Sequence, residues 1–99
     1  MARPRCFRRI SERPRGNLFK PAGVPTTQLE LIELTADEFE AIRLADHQRL
    51  YQAVAAERMR ISRQTFGRIL AAARRKVARV LVEGLALQIE GSSRREANQ

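Results

Sequence analysis

The chain holds one cysteine, Cys6, one histidine, His47, and no tryptophan. One cysteine excludes a disulfide framework within the chain, and one histidine beside it excludes a Cys/His zinc cluster. No apolar run approaches the ~20 residues that span a bilayer, and Met1-Ala-Arg-Pro-Arg5 lacks the apolar core of a secretion signal. A reducing cytoplasm with no membrane partner is therefore expected. Aromatic residues are only 5% of the chain, namely Phe7, Phe19, Phe39, Tyr51 and Phe66. Phe39 and Phe66 have core spacing, so little is left to stack on unpaired bases, as single-stranded RNA modules require.

Charge of one sign is what the chain has in excess. Lys plus Arg number 19 against 11 Asp plus Glu, for a formal charge of +8 over 99 residues. All but Lys20 and Lys76 of these bases are arginine, whose planar, bidentate guanidinium suits phosphate and guanine edges. The charges come in blocks. Residues 1–20 carry Arg3, Arg5, Arg8, Arg9, Arg13, Arg15 and Lys20 against Glu12 alone. Residues 28–47 carry Glu30, Glu33, Asp37, Glu38, Glu40 and Asp46 against Arg43. Residues 58–79 return to Arg58, Arg60, Arg63, Arg68, Arg74, Arg75, Lys76 and Arg79 with no acid.

Pro4, Pro14, Gly16, Pro21, Gly23 and Pro25 break any period in the first block, so residues 1–27 read as an extended basic arm. Arg3, Arg5, Arg8 and Arg9 are its candidate contacts to phosphate or a minor groove. A helix-turn-helix domain over residues 28–91 and a polar tail over 92–99 complete the expected organisation. Gln28 to Leu34 alternates imperfectly and fits a short strand or a helix start, of which the strand is the preferred reading. Thr35-Ala-Asp-Glu38 is a capping box, which predicts a first helix from Ala36 to about Asp46 with Phe39 and Ile42 on one face. His47 follows as a cation at that helix's end. Leu85, Leu87 and Ile89 alternate with Ala86 and Gln88, which predicts a strand paired with Leu29–Leu34 or with its copy in a second subunit.

Between these segments, Tyr51 to Met59 reads as a short helix with Val54 and Ala55 inward, Arg60-Ile61 as a turn, and Ser62 as the N-cap of a helix of about 20 residues. At 100° per residue Phe66, Ile69, Leu70, Ala73, Val77, Val80 and Leu81 share one side of it. Gln64, Arg68, Ala71, Ala72, Arg75 and Arg79 share the other. Amide, guanidinium and small side chains together suit a major groove. Arg63, Gln64, Thr65 and Arg68 on the first turns are the candidate base contacts. Arg74, Arg75, Arg79, Arg60, Tyr51, Gln52 and the capped amides at Ser62 are the candidate phosphate contacts.

The expected fold is mainly α: a three-helix helix-turn-helix core, winged-helix-like or like region four of sigma factors, with a two-stranded β element. The expected function is reading duplex DNA to regulate transcription, with no enzyme activity, cofactor or metal, and with the chain paired as a homodimer or higher oligomer through its C-terminal strand. The alternatives are an RNA-binding or ribosome-associated basic protein and a module that binds a sigma factor or polymerase.

The stretches RPRCFRRI, FKPAGVP, LTADEFEAIRLAD, AAERMRISRQTFGRIL, ARRKVA and LALQIEG, from Arg3 to Gly91, resemble the prokaryotic domain-of-unknown-function 134 family of uncharacterised, predicted DNA-binding proteins. The central segment is similar, more loosely, to sigma factor region four. In that family the turn position held here by Arg60 is usually glycine, and the N-terminus often has cysteines besides the one that matches Cys6. The resemblance thus implies a strained or altered turn, and it leaves a redox or metal role without ligands.

Overall fold

The computed structural model describes residues 16–90. The arm contacts Arg3, Arg5, Arg8 and Arg9, together with Cys6 and the tail 92–99, lie outside the described residues. In chain order the elements are β1 (Leu18–Phe19), a 3-10 turn (Thr26–Gln28), β2 (Leu31–Leu34), α1 (Ala36–Ile42), a π-helical turn (Arg43–His47), α2 (Gln52–Met59), α3 (Arg63–Glu83) and β3 (Ala86–Ile89). Among the described residues no helix is long and apolar enough to cross a membrane.

Local chemistry sets the helix boundaries. Thr35 Oγ1 accepts from the Glu38 amide at 3.2 Å while Glu38 Oε1 accepts from the Thr35 amide at 2.8 Å, which closes the expected capping box. The helix it opens runs on as the π-helical turn through Asp46 to His47. Gly84, at φ 70°, ends α3 by returning its amide to the Val80 carbonyl at 2.9 Å, in a left-handed conformation that glycine adopts at little cost.

The three helices form the crossover between two parallel strands, β2 and β3, paired from Leu31 with Ala86 to Leu34 with Ile89. The pairing expected within one chain is thus present. Sheet order is β1-β3-β2, and β1 lies antiparallel on the far edge of β3, with Leu18 opposite Gln88 and Phe19 opposite Leu87. The sheet therefore has three strands where the sequence suggested two. Leu18–Phe19 is too short to show alternation, so this end of the arm read as irregular chain although it is built into the domain.

Because β3 is central, both its edges are occupied. It offers no free ladder to a second subunit, which removes the strand as the means of pairing two chains.

Two apolar clusters hold the molecule. Ala41, Leu44, Ala55, Ala56, Met59, Phe66 and Leu70 bury the contact of α1 and its π turn with α2 and the first half of α3. Leu34, Ala73, Val80, Leu87 and Ile89 bury the second half of α3 against the sheet, and Ile42 packs on both clusters. Two residues expected inside are not. Val54 is exposed, since Ala55, Ala56 and Met59 form the inward face of α2. Leu81 is exposed because at the last turn of α3 the sheet covers Val77 and Val80 but does not reach a third of a turn farther round.

Candidate nucleic-acid interface

The turn between α2 and α3 is a Schellman closure. Arg60 gives its amide to the Glu57 carbonyl at 3.0 Å and Ile61 gives its own to Ala56 at 3.1 Å, while the Ile61 side chain packs on the first cluster. Arg60 reaches this geometry at φ 61° and ψ 44°, the left-handed region. The turn is kept and the strain is local. A non-glycine residue there costs about 1 kcal/mol, so Arg60→Gly is expected to raise the urea midpoint by a stability gain of about 0.5–1 kcal/mol, with the slope unchanged.

Ser62 then caps α3. Its Oγ accepts from the Thr65 amide at 3.0 Å and donates to Thr65 Oγ1 at 2.9 Å, so both hydroxyls are engaged in the cap. Thr65 is half-buried, which takes it out of the most exposed line of the helix. That line is Gln64, Arg68, Ala71 and Arg75, all exposed, with exposed Arg63 beside it and half-buried Ala72 at its margin.

Across from it, α2 comes close at Gly67, where an added Cβ would lie 3.7 Å from Gln52 Oε1. Tyr51, the N-cap of α2, is 85% exposed. The fold therefore sets Gln52, next to exposed Tyr51, against the early turns of α3 at Gly67.

Arg74 and Arg79 are placed differently. Arg74 forms a bidentate pair with Asp46, Nη2 to Oδ1 at 2.7 Å and Nε to Oδ2 at 3.2 Å. That hydrogen bond raises the Arg74 pKa above an already high ordinary value, so the guanidinium is charged at any working pH. Arg79 reaches Glu30 at 3.0 and 3.1 Å and Glu83 at 3.3 Å, and the field of Glu30, then of Glu83, raises its pKa likewise. Lys76 spans Glu38 Oε1 and the Glu33 carbonyl oxygen, each at 2.8 Å.

The acidic block 28–47 thus lies along the later turns of α3 and pairs their cations. Among the described residues Arg60, Arg63, Arg68 and Arg75 make no such pair, and neither do Lys20, Arg49 and Arg58, so the turn and the reading line carry four of the seven unpaired cations. The sequence held this signal in its opposed charge blocks, but not which cation meets which acid.

Glu38 and Glu40 point apart. Glu38 closes the cap and holds Lys76, whereas fully buried Glu40 accepts from Arg43 Nε and Nη2 at 3.0 Å each. Among the described residues no three His, Cys, Asp or Glu side chains gather as a metal ion would require.

A family model described as "Protein of unknown function DUF134" matches residues 1–96. The chain belongs to the DUF134 family. Relatives of this DUF134 chain carry the name "UPF0251 protein". One from Syntrophobacter fumaroxidans is 58% identical over 91 residues, covering 92% of this chain and 58% of its own. One from Prosthecochloris aestuarii is 51% identical over 89 residues, covering 90% and 57%, and one from Shewanella halifaxensis is 54% identical over 87 residues, covering 88% and 91%. The chain thus spans less than two thirds of the first two relatives and nearly all of the third. No solved structure matches it.

Proposed function

We propose that this DUF134 chain binds duplex DNA through α3 and acts in the cytoplasm as a regulator of transcription, with no catalytic role. One observation carries the reading. The exposed Gln64, Arg68, Ala71 and Arg75 line has no acidic partner, while the cations farther along α3 on other sides are paired. Amide and guanidinium groups flanked by alanine let the helix approach base edges, and the N-terminal turns are those that enter a major groove in such motifs. In this reading Gln64 and Arg68 meet bases. Arg60, Arg63, Arg75 and exposed Tyr51 meet phosphates on either side, and the arm residues Arg3, Arg5, Arg8 and Arg9 follow the backbone. Arg74 and Arg79 would have to exchange surface ion pairs for phosphate, so they contribute less.

Binding titrated in salt against duplex DNA, single-stranded DNA and structured RNA tests the proposal. Preference for duplex DNA is expected, and preference for structured RNA at every salt concentration would overturn it. Arg68→Ala should weaken binding to the selected site by about 1–3 kcal/mol and relax preference at one base position. Arg75→Ala should weaken specific and random DNA alike and reduce the salt slope by ~0.9. Equal loss on both DNAs for Arg68→Ala would remove its base contact.

A further inference from the structure

We infer that the gap between α2 and α3 at Gly67 seats one strand of the duplex's sugar-phosphate backbone, with the Gln52 side-chain amide donating to a phosphate oxygen there. This contact rests on the DNA-binding reading and adds to it the place of closest approach. Gly67 is the fifth residue of a 21-residue helix, and glycine is the poorest helix former after proline. Its φ is not positive, as those of Gly23 and Gly84 are, so no conformational need accounts for it. Packing does not require it either. Among the described residues an added Cβ would meet only Gln52 Oε1, at 3.7 Å, an ordinary van der Waals contact. The fold thus has room for a methyl group that would strengthen the helix, and the chain forgoes it.

The surroundings of the gap select an anionic strand. Arg63 and Gln64 lie one turn before Gly67 on the helix surface and Ala71 one turn after, and all three are exposed. Arg63 has no ion pair among the described residues. On the α2 side Tyr51 is 85% exposed and Gln52 is half-buried, and the Gln52 amide has no hydrogen-bond partner among the described residues. An amide donor, a nearby guanidinium and helix backbone with no Cβ over it suit a phosphodiester, whose oxygens accept and do not donate. A base edge is the poorer fit. Gly67 sits about 60° round the helix from Gln64, toward α2, and in such motifs that helix crosses the DNA backbone.

Duplex binding is measured on the unmodified chain, Gly67→Ala, Gln52→Ala and the double variant, with the selected site and with random DNA, beside urea unfolding of each. Gly67→Ala should unfold at a higher urea midpoint and yet bind both DNAs about tenfold more weakly, because the methyl holds the strand off the helix. Gln52→Ala should lose about tenfold on both DNAs with its salt slope unchanged, since a neutral amide displaces no counterion. Both residues serve one phosphate, so the double variant should lose less than the product of the single losses. Unchanged duplex binding in Gly67→Ala overturns the proposal and leaves the DNA reading standing. So does a lower urea midpoint in that variant, which would mean that the chain's own packing fills the gap, or a loss confined to the selected site, which would mean a base contact. Preference of the unmodified chain for structured RNA overturns the DNA reading itself, and this contact with it.

Discussion

Replacing Arg43 with Met is expected to lower the free energy of unfolding by about 3–5 kcal/mol, which is most of the stability of a marginal small domain. Glu40 is fully buried and Arg43 is 9% exposed, and the two share a bidentate pair one turn apart on α1 and its π-helical continuation. Removing the guanidinium leaves a carboxylate in the interior of an element that packs on α3. The desolvated charge then loses both hydrogen bonds from Arg43, which costs far more than losing an exposed pair such as Arg74 with Asp46. The decisive comparison is the double variant Glu40→Leu/Arg43→Met, which removes both charges and should recover most of the loss. Urea unfolding of the two single variants and the double one reads this directly. A loss below about 1 kcal/mol for Arg43→Met would mean that the carboxylate is satisfied without the Arg43 guanidinium.

That pair also marks where the sequence stopped being legible. Glu40 and Arg43 read as members of an acidic block and its lone base, because charge order in sequence says nothing of depth. The same holds for Lys76, Arg74 and Arg79, which counted as part of a free basic run until the fold set Glu38, Asp46 and Glu30 against them. Helix boundaries were legible because their causes are local: the Thr35–Glu38 box, the Ser62 cap and the Gly84 stop each act within one turn. The interior of α3 was legible for a similar reason, since Phe66, Leu70, Ala73 and Val80 keep one helical period. Leu81 kept the period too and is exposed, because burial also needs a neighbour, and the sheet ends short of it. β1 left no trace at all. Two residues hydrogen-bonded to β3 acquire their conformation from the partner strand, not from their own pattern.

For the candidate site the division is the same. The line from Gln64 to Arg75 followed from periodicity, and the approach of Gln52 to Gly67 followed only from the packing of α2 on α3. What distinguishes Arg68 from Arg74 is a partner more than two dozen residues away in sequence. A wheel of α3 alone ranks them alike as cations.

Leu87→Lys is expected to unfold the protein, with a loss of about 3–5 kcal/mol or more. The alternation of Leu85, Leu87 and Ile89 fits an outer strand awaiting a second subunit, for which a lysine would merely separate two chains. The sheet gives another outcome. Leu87 is 9% exposed on the central strand, between Phe19 on one side and Ile32 on the other, and it packs with Leu34, Ala73, Val80 and Ile89 beneath α3. Truncating a buried leucine already costs about 2–5 kcal/mol, and the ammonium must either lie unpaired in that cluster or pull the strand outward. Outward movement breaks both ladders at once, since β3 holds β1 and β2 together. Circular dichroism should therefore show the helical signal falling with the sheet, and urea should unfold the variant at a far lower midpoint. A variant that keeps its helical signal and midpoint and changes only its apparent mass would contradict the central position of β3.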